Sequence, residues 1–314
     1  MNKPKIACLG GGNAMPRAVL EGLKNKEVDI AAICAMLDSG GSSGRLREDY
    51  GIVSPGDIRR AFIALANTSP IIEELFDYRF QAGELQGHNF ANLFITALNL
   101  STEDGEKTFE TMNDLLNVSH QVLPVTLDSS HVCAVLEDGR IIEGETNIDI
   151  PKHDGTLKIK DVFLKPKARA YPKAINAIYG ADKIVLGPGD LFSSLAQILL
   201  VEGMAEAIRN TDGQKIYVCN LMTKHGETNS FSVKDFTRKA EELLGGEFDK
   251  VVYNNNFPEE ERVEKYKETH EELINLVNPG DNLEEGKFVG ADVLADEGKI
   301  IHDSEKLTNV ILDL

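Results

Sequence analysis

The sequence predicts an α/β protein built on a mostly parallel sheet. Short apolar runs recur along the chain, and each is followed by a glycine-rich turn and then a helical pattern. The first case is Lys5 to Leu9, then three glycines, then a helical pattern from Ala14 to Lys24, then a second apolar run from Ile30 to Leu37. That is a β-loop-α-β unit, the signature of parallel strands covered by helices. The rhythm returns at Lys183 to Leu186, followed by Gly187-Pro188-Gly189-Asp190 and a helix through Leu200.

Helical patterns occupy Asp57 to Ala66, Asn89 to Leu100 and Glu106 to Leu116. Val122 to Glu145 alternates like strands, and Glu137-Asp138-Gly139-Arg140 reads as a hairpin turn. The stretch from Pro151 to Pro172 is polar and Lys-rich, an excursion or a linker. Ile216 to Cys219 and Lys250 to Tyr253 read as further strands. Glu259 to Glu272 reads as a solvated helix laced with ion pairs. A last helix, near Ser304 to Leu314, is capped by Asp303 or Ser304. One domain is expected over residues 1–314, with an excursion at about 122–172.

Bulk properties narrow the function. The 314 residues are 42% hydrophobic and 27% charged, a globular composition rather than a disordered one. A net charge of −18 repels phosphate backbones and acidic membranes, so neither nucleic acid nor membrane is expected as a partner. A phosphorylated ligand would need a local cationic or dipolar pocket. Cys8, Cys34, Cys133 and Cys219 sit singly in apolar runs and read as buried thiols in a reducing compartment. With no signal peptide and no membrane-length apolar run, a cytoplasmic protein is expected.

The chemistry concentrates in the turns. Gly10-Gly11-Gly12-Asn13 joins a strand to a helix, so backbone N–H groups and the positive end of the helix dipole face any ligand. It is not the dinucleotide fingerprint: Met15 takes the third glycine position, and no acid ends the second strand at the ribose spacing, so NAD is not expected. The second turn, Asp38-Ser39-Gly40-Gly41-Ser42-Ser43-Gly44-Arg45-Leu46-Arg47, should share that sheet edge. Its arginines offer cationic forks and its serines hydroxyl donors. Asp38 could hold a hydrated magnesium ion. Gly40-x-Ser42-x-Gly44 also matches the nucleophile elbow of serine hydrolases, but Ser42 lies several residues past the apolar run, and His302-Asp303 is the only suggestive partner pair.

Asp57 is either a helix N-cap or a carboxylate facing Asp38 across a shared cation, and Arg59 or Arg60 could neutralise phosphate. His88 and Asn92 lie one turn apart on one helix face, structural or ligand-facing. Gly187 and Gly189 form a third strand-to-helix loop whose backbone could line the crevice, with Asp190 as N-cap. Asn220 and Thr223 follow another strand, and the adjacent Lys224 or His225 could reach a phosphate. Zinc spacings, a P-loop lysine and the metalloprotease helix motif are absent from the sequence.

In chain order, Gly10-Gly-Gly-Asn, Asp38-Ser-Gly-Gly-Ser-Ser-Gly-Arg-Leu-Arg, Pro55-Gly-Asp-Ile-Arg, Gly87-His-Asn-Phe-Ala-Asn, Gly187-Pro-Gly-Asp-Leu and Asn220-Leu-Met-Thr-Lys-His-Gly-Glu-Thr resemble the CofD-like family. The resemblance runs from about residue 5 to beyond residue 228 and favours the YvcK-type gluconeogenesis factors over the 2-phospho-L-lactate transferases. It implies a three-layer Rossmann-like fold. In the YvcK branch it implies a UDP-sugar-binding regulator of carbon metabolism and cell shape. In the other branch it implies a magnesium-dependent transfer of a phosphoacid group from a guanylyl carrier to a deazaflavin alcohol. By position, Gly10 to Asn13 would hold the diphosphate, and Asp38 and Asp57 match acidic positions tied to the metal. Ser39 replaces the second Asp of the family's pair, which weakens metal binding, and Asn13-Ala14 replaces Thr-Gly, which bears on the nucleotide. With no tryptophan and 6% aromatics the chain is poorly equipped for a deazaflavin. The expectation is a nucleotide-sugar-binding regulator, assembled as a homodimer, with the transferase as alternative.

Overall fold

In the computed structural model, which describes residues 3–314, the apolar runs become a seven-stranded sheet in the order β12-β10-β8-β7-β1-β2-β3. Its strands are β1 (Lys5–Gly10), β2 (Asp29–Cys34), β3 (Gln121–Pro124), β7 (Lys183–Leu186), β8 (Gln214–Val218), β10 (Lys250–Asn254) and β12 (Phe288–Ala291). Every pairing between them is parallel. Strands covered on both faces must be apolar on both, which is why Ile6 to Leu9 and Ile184 to Leu186 read as unbroken buried runs. Helices pack around the sheet, so the expected α/β class with a Rossmann-like parallel sheet is what the chain adopts.

Two small antiparallel sheets complete the fold. β4 (His131–Leu136) pairs with β5 (Ile141–Glu143) through the hairpin at Gly139 (φ 88°), and on its other side with β6 (Ile159–Lys165). The Lys-rich stretch is therefore partly strand. The short helix Glu145–Asp149 follows β5. The second sheet pairs β9 (Met222–Lys224) with β11 (Leu273–Leu276). It belongs to a separate apolar cluster of Leu221, Met222, Val263, Leu294 and Ile300, against which Tyr266 and Leu273 pack. The charged segment read as a solvated helix is helical over Glu260–Lys267, but Val263 and Tyr266 commit one face of it to this cluster.

Local structure departs from the sequence reading at three turns. Only Asp38 to Gly40 forms a loop; Gly41–Tyr50 is a helix despite its glycines and serines. Tertiary contacts override the poor propensity. Buried Arg47 donates to the carbonyls of Leu37 and Ser130, and Gly44 lets the first turn lie on the Ser39 carbonyl, with which any Cβ would collide. Asp57 is not an N-cap: it lies inside the first turn of helix Gly56–Leu65, whose cap position is Pro55. Asp190 does hold the cap position of the turn Leu191–Leu195, but its side chain does not cap. The buried Glu227 carboxylate takes that role, accepting from the N–H groups of Phe192 and Ser193, each at 3.0 Å. At the C-terminus, Asp303 caps helix Ser304–Asp313 by accepting from Lys306 N. All four cysteines are buried free thiols, and burial pushes Cys8 up to about 12.

Candidate functional site

From β1 the chain runs through β2 to β3 on one side of the sheet, then returns to place β7 on the other side of β1. The loops leaving β1 and β7 therefore diverge, and ligands of open parallel sheets bind beyond the carboxyl ends of the strands at such a point. A cleft of about 490 Å³ opens there. A larger cavity, about 650 Å³, lies at the opposite edge, around the strand starts at Lys5, Asp29 and Gln121, and holds none of the glycine loops. The cleft is the candidate site.

Its floor is glycine backbone: Gly11 to Asn13 after β1 on one side, and Gly189 after β7 on the other. The Gly189 N–H donates to Asn220 Oδ1 at 3.3 Å, tying the β7 loop to the chain after β8. Met15, the residue in the third glycine position, is fully buried against Gly10, where a Cβ would fall 2.5 Å from its own Cβ. At Gly11 a Cβ would lie 2.6 Å from Asp57 Oδ2 and 2.9 Å from the Ala35 Cβ, so only glycine fits. The opposite wall comes from the C-terminal cluster: Leu221, Met222, Tyr266, Leu273 and Ile300. Tyr266 packs on the His270 ring with centroids 4.4 Å apart. Arg17 and Lys299 also line the cleft, and among the described residues neither has an ion-pair partner.

Asp38, Asp57 and the excursion residue Glu145 gather behind the glycine loop. Asp57 is buried and holds Arg60 at 2.7 Å. Burial raises its pKa; Arg60 opposes the rise and Asp38 adds to it. Asp38 accepts from Gly40 N at 2.8 Å. Glu145 is pushed up to about 8, by burial first and then by the charges of Asp38, Asp149 and Asp57. Ser39 exchanges hydrogen bonds with Thr146 on the same short helix, at 3.2 and 3.1 Å. Thus Ser39 docks the excursion onto the loop after β2.

The other end of helix Glu145–Asp149 meets a second charge cluster. Buried Lys224 bonds Asp149, reaches Asp190 Oδ2 at 2.8 Å and lies 3.4 Å from Glu227. Burial alone would lower the Lys224 pKa; Asp190, Glu227 and Asp149 outweigh it and raise it. Asp149, Asp190 and Glu227 are the one carboxylate trio among the described residues with ligand atoms all within 4.8 Å, and the lysine ammonium stands in their midst.

The remaining sequence candidates separate into two groups. Ser42, Ser43, His88 and Asn92 do meet, but they bind one another: Ser42 Oγ to His88 Nδ1 at 3.1 Å, and Asn92 Nδ2 to Ser43 Oγ at 3.2 Å. Burial and the neighbouring Arg45 hold the His88 pKa down. Arg45 donates to the Gln86 carbonyl, and buried Arg59 pairs with Asp77 at 2.9 Å, so neither guanidinium lines the cleft. Gly40 holds the cap position of the second helix and Gly41 starts it, and Gly187 directly follows β7. Thr223 is buried and exchanges hydrogen bonds with Asn275 across the β9–β11 pair. The cations that do face the cleft, Arg17 and Lys299, were missed. Arg17 sits inside the first helical pattern and Lys299 in a patternless stretch, so no motif marks either.

The family model described as 2-phospho-L-lactate transferase CofD matches residues 6–293. The gluconeogenesis factor of Bacillus subtilis is 37% identical over 322 residues, covering 99% of this chain and 98% of that one. The gluconeogenesis factor of Halalkalibacterium halodurans is 36% identical, covering 100% and 97%. A crystal structure of a protein from Bacillus halodurans superposes with a TM-score of 0.91 at 32% identity, covering 99% of each chain. A match that spans nearly the whole chain in sequence and in fold settles the grouping: the chain belongs to the CofD family, among relatives named gluconeogenesis factor.

Proposed function

We propose that the cleft binds a nucleotide sugar, a uridine diphosphate sugar, and that the protein acts as a regulator of carbon metabolism rather than as a catalyst. The observation that carries this reading is the division of the cleft. One side offers glycine N–H groups with Arg17, and Lys299 reaches in from across the cleft, a set suited to a diphosphate. The other offers Tyr266 among aliphatic side chains, suited to a planar base. Magnitudes favour the pairing, since the local cations must overcome a net charge of −18 and do so by lying within contact of the ligand rather than a screening length away. The relatives' name, gluconeogenesis factor, supports the metabolic setting. The test is binding of UDP-N-acetylglucosamine to the wild-type protein and to Gly11→Ala, whose added methyl pushes the loop off Asp57. Binding should be lost in the variant while the fold survives with a cost of about 1–3 kcal/mol. Unchanged binding in Gly11→Ala would remove the loop from the site.

A second reading, magnesium-dependent transfer of a phosphoacid group, is favoured by the carboxylates behind the loop. The donor set fits a hydrated magnesium ion, which takes one or two carboxylates and several waters. Asp38 would hold it, with Asp57 and Glu145 beside it, and its charge would relieve the crowding that raises Glu145. The ion would supply charge neutralisation at the phosphoryl oxygens, while Gly11 to Asn13 orient the diphosphate.

A further inference from the structure

Asp190 is the only acidic side chain lining the cleft among the described residues. A carboxylate beside a diphosphate site is repelled by the phosphates, so it must face a neutral part of the ligand. Its own helix does not need it, because Glu227 caps the Phe192 and Ser193 amides. Its Oδ2 is fixed at 2.8 Å by Lys224, which is itself held from behind by Asp149 and Glu227. Its Oδ1 has no partner among the described residues, and the side chain is 34% exposed. The arrangement is one fixed acceptor aimed by a buried ammonium. The neutral donors of a nucleotide sugar are the N–H of its base and its hydroxyls, and with the base assigned to the Tyr266 wall the hydroxyls are left.

From this geometry we propose that Asp190 reads the hydroxyls of the ligand's sugar, and that Lys224 is its positioning residue. The proposal rests on the reading of the cleft as a nucleotide-sugar site and deepens it. The hydroxyls can belong to the ribose or to the second sugar, and the probes below separate the two. A carboxylate held in place accepts from a hydroxyl without needing a counter-cation from the ligand. A ligand lacking that hydroxyl leaves the acceptor unpaired and is rejected. Diphosphate binding is left to the glycine loop, so the two functions should separate on mutation.

The experiment is titration calorimetry of the full chain with UDP, 2′-deoxy-UDP and UDP-glucose, for wild type, Asp190→Asn, Asp190→Ala and Lys224→Met. Wild type should prefer UDP over 2′-deoxy-UDP if the ribose is read, or UDP-glucose over UDP if the second sugar is read, by about tenfold or more. Both Asp190 variants should bring that ratio close to one while keeping the affinity for the hydroxyl-poor probe. Lys224→Met should lower the same ratio, which a merely structural role would not single out. Should that variant not fold, Asp190→Asn decides alone. A wild-type ratio near one, a preference that survives Asp190→Asn, or an equal loss for every probe would each overturn the assignment. Wild type that binds none of the three would overturn the nucleotide-sugar reading beneath it.

Discussion

His302 lines the cleft, yet its Nε2 is shut off from solvent and has no hydrogen-bond partner. Burial holds its pKa down at about 4, against an ordinary 6.5. Between these values the folded ring stays neutral while the unfolded chain takes up a proton. The unfolded state binds more protons, so stability falls as pH drops from 6.5 towards 4 and is fully present above 6.5. His302→Gln removes this contribution. Denaturant titrations at pH 7 and pH 4 should show the variant losing less than wild type between the two, by on the order of 1–3 kcal/mol. Parallel losses would show that His302 is solvated. At the same scale the motifs were legible as chemistry and misleading as contacts. The run Ser42-Ser43, with His88 and Asn92, announced a polar constellation correctly. The sequence could not say that these groups satisfy one another, because that depends on a helix forming through Gly41 to Tyr50.

Two elements set the character of the cleft, and neither contributes a strand to the seven-stranded sheet. Helix Glu145–Asp149 straps the excursion across the two loops, with Glu145 beside Asp38 and Asp149 on Lys224. The cluster around Val263, Leu294 and Ile300 supplies the apolar wall. Tyr266 is its aromatic face, half-buried, and removing the ring should not threaten the fold. Tyr266→Ala should weaken UDP-sugar binding by about 1–3 kcal/mol, the range for losing an aromatic platform under a base. Calorimetry reads this directly; an unchanged dissociation constant would place the base elsewhere. The parallel strands were legible because burial on both faces forces unbroken apolar runs such as Ile184 to Leu186. The C-terminal wall was not. It gathers short pieces, residues 221–222, 263–276 and 294–302, too brief for any period to show. The charge-rich Glu260–Lys267 looked solvated because only Val263 and Tyr266 point inwards.

For the whole molecule, the order β7-β1-β2 creates the crevice, the glycine loops floor it and the C-terminal cluster closes it. The unbroken resemblance to the gluconeogenesis factors over 99% of the chain keeps all three parts within one family design. A ligand that bridges the glycine loop and the C-terminal wall binds only the folded chain, so it must stabilise the whole. The decisive measurement is calorimetric titration with UDP-N-acetylglucosamine, repeated as a melting curve. Saturable binding at one site per chain is expected, with a melting temperature that climbs with ligand and a gain of about 2.7 kcal/mol at 100 times the dissociation constant. A flat titration and an unmoved melting curve with every UDP-sugar tried would contradict it.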